Sequence, residues 1–238
     1  MCGGMVYRLS RRYSFFREVK MKSIMINPIL PRIPVIPDCS SEILLTILQY
    51  SLFVLCAGTL AFILGLYAAK HFKGEKTKTV LCFIGITLAV TALLLCFFGV
   101  AVGTIRGIMF CLILLFSSYS DIKTRESADF IPVMILLTAL IGTEIADIPL
   151  MLLSAVLITL PMLLIVIVCK GKAIGGADVK LTAACAFMLG AVRGCTGLVA
   201  GLSIGILVNL VIQMKKKKAE GFPLIPYLAA GFMAAYFL

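Results

Sequence analysis

IPLMLLSAVLITLPMLLIVIVC, residues 148–169, contains no charged side chain. A helix of ~20 apolar residues at ~1.5 Å each is long enough to cross the hydrocarbon of a bilayer, so this stretch reads as a membrane span. Similar runs lie on both sides of it, at about 43–69, 79–101, 104–120, 130–146, 180–192, 195–213 and 223–238. Apolar residues surround each run instead of forming one stripe, as expected where one side faces lipid and the other faces protein. The expected fold is all-α, a polytopic membrane helix bundle with about eight transmembrane helices. Residues 1–40 read as a basic N-terminal tail and 41–238 as one membrane-embedded domain.

Composition agrees with this reading. The chain of 238 residues is 61% hydrophobic and 14% charged, too apolar for a water-soluble globule. Its net charge of +11 resides mostly in short loops between apolar runs, where orientation in a bilayer accounts for it, so no nucleic-acid partner is expected. Of the nine cysteines, no two stand in a CxxC spacing, and His71 is the only histidine. Neither a zinc site nor a redox motif is expected, and nothing calls for a metal or an organic cofactor.

Alternate loops differ sharply in charge. One set holds Lys70, Lys73, Lys76 and Lys78; Lys123 and Arg125; Lys170, Lys172 and Lys180; and Lys215, Lys216, Lys217 and Lys218, whereas the other holds only Arg106 and Arg193. Positive residues mark the cytoplasmic side, which orients the chain. The tail does not fit, because Arg8, Arg11, Arg12, Arg17, Lys20, Lys22 and Arg32 fall outside in an eight-span count. Either translation begins at Met21 or Met25, or the first run does not simply cross.

Two acids stand at the cytoplasmic ends of apolar runs: Asp121 in SYSDIKTRE (118–126) and Asp178 in IGGADVKLT (174–182). A carboxylate in or near hydrocarbon costs at least ~2.5 kcal/mol on insertion scales, so an acid there is a functional candidate. Asp121 closes a run, at a carbonyl end that disfavours negative charge, while Asp178 opens one, at an amide end that favours it. The bland alternatives are an interfacial Asp121 steadied by Lys123 and Arg125, and Asp178 as an ordinary N-cap. The run that Asp178 opens is short, ~20 Å against ~30 Å of hydrocarbon, which gives water a route to it.

Together the two motifs resemble those of the type IV prepilin peptidase family, membrane aspartyl proteases of the GxGD type that include the archaeal preflagellin peptidases. The likeness spans most of residues 104–238 and includes FPLIPYLAAG at 222–231, similar to the proline-containing stretch of the family's last helix. The resemblance implies that Asp121 and Asp178 are the catalytic pair, that Gly175 and Gly176 shape the approach to Asp178, and that an aspartic endopeptidase removes the leader of a prepilin or pseudopilin. It also implies a multi-pass plasma-membrane protein whose active site faces the cytoplasm. Ala177 stands where the family has glycine, so a negative φ is expected there. Asp129 is either a family-like polar position or a third acid near the site. With Glu126 and Glu220 it is a candidate for attracting a basic leader, whereas Lys123 and Lys180 would repel one. The loop at 70–78 lacks the cysteine-rich segment of bifunctional members, so no N-methyltransferase activity is expected.

By helix-end electrostatics Asp178 is assigned as the base and Asp121 as the proton-holding acid. The competing reading is a proton- or ion-coupled transporter using paired acids. Against it stands the location of both acids at the boundary instead of the midplane. The sequence leaves open the particular substrate, the machine it serves and the oligomeric state.

Overall fold

The computed structural model describes residues 40–72, 74–125, 128–168, 175–215 and 223–238. The tail, Glu126, Glu220 and the tetra-lysine loop after Lys215 lie outside the described residues. Those described are helical throughout, with α1 Ser40–His71, α2 Lys76–Phe98, α3 Val102–Thr124, α4 Phe130–Leu140, a 3₁₀ turn Ile145–Asp147, α5 Ile148–Val168, α6 Gly176–Lys215 and α7 Ile225–Tyr236. Leu44–Leu238 forms one compact unit, to which the following description applies.

Among the described residues, five helices are long and apolar enough to cross a membrane: Leu44–His71, Lys76–Phe98, Val102–Thr124, Ile145–Val168 and Gly176–Met214. Their outward faces are rich in large apolar side chains, such as Leu150, Leu153 and Leu157 on α5, which suits lipid and not water. The run expected at 130–146 is shorter than a span. Its helix ends at Leu140, and the chain turns through Gly142 at φ +68°. At ~1.5 Å per residue α4 and α7 rise only ~16 and ~18 Å.

The longest helix is not straight. Gly190, at φ 79° and ψ 179°, interrupts α6, and only glycine adopts such a φ without strain. Residues eight apart in a continuous helix lie ~12 Å from each other. Yet a Cβ placed on Gly194 would come within 3.2 Å of the Ala186 Cα. The chain therefore folds back at Gly190 into two arms, 176–189 and 191–215, in place of the separate runs expected at 180–192 and 195–213. Among the described residues the eight expected crossings become eight helical stretches of unequal length, three of them too short to cross alone.

Lipid tails are as apolar as leucine, so burying apolar surface does not drive helices together in a bilayer; close packing and interhelical hydrogen bonds do. Gly197, Gly201 and Gly205 recur every fourth residue on the second arm of α6; the first two meet α7 nearly backbone to backbone, and Gly205 faces the Leu224 and Tyr227 side chains. A Cβ on Gly201 would lie 2.8 Å from the Leu228 Cα, and one on Gly231 would lie 2.7 Å from the Gly201 Cα. On α1 the small residues Ala57, Ala61 and Ala68 are buried, and a Cβ on Gly65 would stand 3.1 Å from Val80 of α2. Phe110 and Phe232 fill the centre and are fully buried.

Helices α3 and α7 run antiparallel and are tied at both ends. The Tyr236 hydroxyl donates to the Gly103 carbonyl at 2.6 Å, and the Ile225 amide donates to the Asp121 carboxylate at 3.2 Å. These ties bring the start of α7 to the end of α3 that carries Asp121.

Candidate active site

Asp121 occupies the last turn of α3, one turn before the left-handed C-cap at Arg125. Its Oδ2 accepts the Ile225 amide at the first turn of α7. The first amides of a helix have no partner within it, and Asp121 supplies one from a distant part of the chain. The carbonyl end of α3 disfavours an anion at this position, but the amide end of α7 favours it. The asymmetry used above to make Asp121 the acid and Asp178 the base is therefore offset by a helix that the local sequence does not reveal.

Asp178 lies three residues into the first arm of α6. Its Oδ2 accepts the Gly175 amide at 3.2 Å, and its own amide donates to the Gly175 carbonyl at 3.2 Å. The carboxylate supplies one half of a capping box, reaching back from the third position to the amide of Gly175 at the cap, while a backbone turn closes the same segment. Asp178 therefore caps α6 from within its first turn and not from the N-cap position itself. Both carboxyl-bearing residues are buried, with 8% of Asp121 and 9% of Asp178 exposed, and their charges act on each other. Two acids from helices far apart in sequence thus lie near enough for the charge of Asp121 to bear on Asp178.

The two glycines before Asp178 differ in their surroundings. A Cβ on Gly175 would lie 3.3 Å from the Asp178 Oδ2, whereas one on Gly176 would enter open space. Neither has a positive φ, and Ala177 has the negative φ expected of it. What Gly175 supplies is room beside the carboxylate.

The neighbouring lysines turn elsewhere. The Lys180 Nζ binds Asp129 Oδ1 at 2.7 Å, and Lys123 sits over the Tyr119 ring, 5.9 Å from its centroid, a cation–π position. The hydrogen bond and positive charge of Lys180 hold the exposed Asp129 carboxyl below the usual carboxylate range. Asp129 joins α4 to α6 at the rim of the site, and a basic leader seeking its charge would compete with Lys180. Glu126 lies outside the described residues. Tyr119 is also fixed, its hydroxyl 3.0 Å from the Thr79 Oγ1 and its ring packed edge-on to Phe72 and Phe83.

Two features escaped the sequence reading. One is the Ile225 amide, a backbone donor with no side-chain signature. The other is Thr182, one turn beyond Asp178, whose fully buried hydroxyl makes no hydrogen bond among the described residues. Its spacing of four residues places it on the face of α6 that carries Asp178. No three metal-ligating side chains cluster among the described residues.

The arrangement suits chemistry that needs one carboxyl to hold a proton and the other to accept one, since two like charges near each other disfavour double ionisation. Residues 108–214 match the model of the type IV leader peptidase family. This region contains both aspartates and the glycine pair. No curated protein and no solved structure gives a significant match to the chain.

Proposed function

We propose, from the match of residues 108–214 to the model of the type IV leader peptidase family, that the chain is an aspartic endopeptidase with Asp121 and Asp178 as its catalytic pair. Its substrate is a prepilin or pseudopilin, cleaved at the cytoplasmic face between a short basic leader and an apolar helix. The observation that carries the reading is the burial of the two coupled carboxyls at one end of the bundle. The same end contains the α1–α2 turn, where a Cβ on Gly74 would collide with Tyr119, and the Asp129–Lys180 pair. These contacts bring the α1–α2 turn and Lys180 to the end of the bundle that carries the site, and their positive charge favours a cytoplasmic orientation.

In the proposed reaction the ionised carboxylate removes a proton from water as the water oxygen attacks the scissile carbonyl. The protonated carboxyl donates to the carbonyl oxygen as it becomes an oxyanion. Collapse of the resulting gem-diol breaks the C–N bond: the first carboxyl returns its proton to the leaving nitrogen, and one hydroxyl of the gem-diol gives its proton back to the second carboxylate as the new carbonyl forms. The amides of Ile225 and Gly175 hold the carboxylates in place, so little reorganisation is required during the reaction. Gly175 leaves space beside Asp178 for the substrate backbone.

The absence of a cysteine-rich insert in the α1–α2 turn supports a peptidase without N-methyltransferase activity. The test is the mass of a prepilin-type substrate co-expressed with the chain in membranes. Leader loss without an added methyl group is expected. An intact substrate across a panel of prepilins and pseudopilins would count against the reading.

A further inference from the structure

An apolar groove of about 490 Å³ runs along α2, α3 and α7, and its lining includes the residues next in sequence to Asp121 and to Ile225. At its mouth are Ile122, adjacent to Asp121 in sequence, and Pro226, adjacent to the Ile225 whose amide binds Asp121. Its far end reaches Cys111 on α3 and Ala234 on α7. From Ile122 back to Cys111 the helix rises ~16 Å, about half the hydrocarbon thickness.

The lining identifies the occupant's chemistry. The hydroxyls of Ser118 and Tyr119 are its polar groups apart from thiols, and both are engaged. Ser118 donates to the Leu114 carbonyl at 2.7 Å, and Tyr119 lies 3.0 Å from the Thr79 hydroxyl. A polar ligand would therefore lose its water without gaining partners. The α7 wall is formed partly of Ala230 and Ala234, four residues apart on one face, a pattern that lets another helix approach closely in a bilayer.

We propose that this groove docks the apolar helix of the membrane-anchored substrate, taking about the first ten residues beyond the scissile bond, the number that ~16 Å of helix accommodates. This inference rests on the peptidase reading above. A substrate whose cleaved bond lies at the aspartates must continue into the membrane from that end of the bundle, and the groove runs from Ile122 and Pro226, next to Asp121 and its Ile225 partner in sequence, toward Cys111 and Ala234. Docking a remote segment there fixes the scissile bond against the carboxyls, the kind of positioning that lowers an activation barrier. Filling the groove weakens capture of the anchored substrate and leaves the chemistry intact.

Cys82 lines the groove and is exposed, so docking can be read without catalysis. The protein is prepared with Cys82 as its sole cysteine, and single cysteines are placed at successive positions of the substrate's apolar segment for oxidative cross-linking. Cross-links are expected at every third or fourth position, within about ten residues of the cleavage site. Ala230→Phe and Ala234→Phe should suppress them and raise KM roughly tenfold with kcat nearly unchanged. The same variants should cleave a short soluble peptide lacking the apolar segment as the parent protein does. Absent or evenly distributed cross-links with a substrate that is nevertheless cleaved would overturn the proposal. Release of a bound lipid chain by Ala230→Phe, with the substrate's KM unchanged, would overturn it too. Periodic cross-links without cleavage would instead count against the peptidase reading alone.

Discussion

Asp121 accepts a hydrogen bond from the backbone amide of Ile225 at 3.2 Å, across 104 positions of sequence. One carboxylate thus both belongs to the coupled acid pair and terminates the last helix. Asp121→Asn retains an oxygen acceptor, while Asp121→Ala leaves a buried amide without a partner. Both variants should be inactive, but only the alanine variant should lose stability, by ~1–3 kcal/mol. Thermal unfolding in detergent checks the difference.

Gly175 and Gly176 are adjacent in sequence, but only Gly175 is pressed against the carboxylate. Gly176→Ala should keep activity within about twofold of the parent, whereas Gly175→Val should cost ~10²-fold by displacing Asp178. Initial rates on a membrane-embedded substrate, at matched protein levels, provide the comparison.

How much of this was legible in the sequence depends on the range over which each signal acts. Both aspartates could be found because a charge beside an apolar run stands out locally. Their meeting could be expected only through the family resemblance. The break in α6 was also visible, as a weakening of hydropathy near Arg193, but the reversal at Gly190 depends on a backbone angle that composition does not express. The Gly197–Gly201–Gly205 spacing was present in the sequence and not used, although it sets how closely α7 approaches. The Ile225 amide could not be found, since every non-proline residue carries one and tertiary folding determines which one meets Asp121.

The backbone approach of α6 to α7 should be intolerant of side chains. Gly201→Val is expected to lower the unfolding temperature or abolish accumulation in the membrane, since overpacking typically costs ~1–3 kcal/mol. Gly85→Ala, where a Cβ would meet nothing within 4 Å, serves as the control and should be neutral. Unfolding curves of the two variants, measured in one detergent, test the prediction.

The Asp129–Lys180 pair is exposed and should contribute little stability. Because Lys180 depresses the Asp129 carboxyl, any stabilisation is present above the ordinary carboxylate range and is lost as pH falls through the depressed value. The stability difference between the parent protein and Asp129→Asn should therefore close in acid. Lys180→Gln, which leaves the Asp129 charge uncompensated, should lower KM for a substrate with a basic leader. A raised KM would contradict the placement of Asp129 at the leader's path.

Thr182 holds a buried hydroxyl without a hydrogen bond among the described residues, so Thr182→Val removes a polar group that brings the free protein no partner. Stability should be unchanged or raised by about 1 kcal/mol. A fall in kcat on that stable background would identify the hydroxyl as a group that acts when water and substrate are present.

The central claim is that Asp121 and Asp178 act as one catalytic pair, and the mass of a prepilin-type substrate after exposure to the parent protein, Asp121→Asn and Asp178→Asn tests it most directly. The account predicts leader removal by the parent and none by either variant, with all three proteins at equal levels in the membrane. Cleavage that persists in either asparagine variant would contradict it.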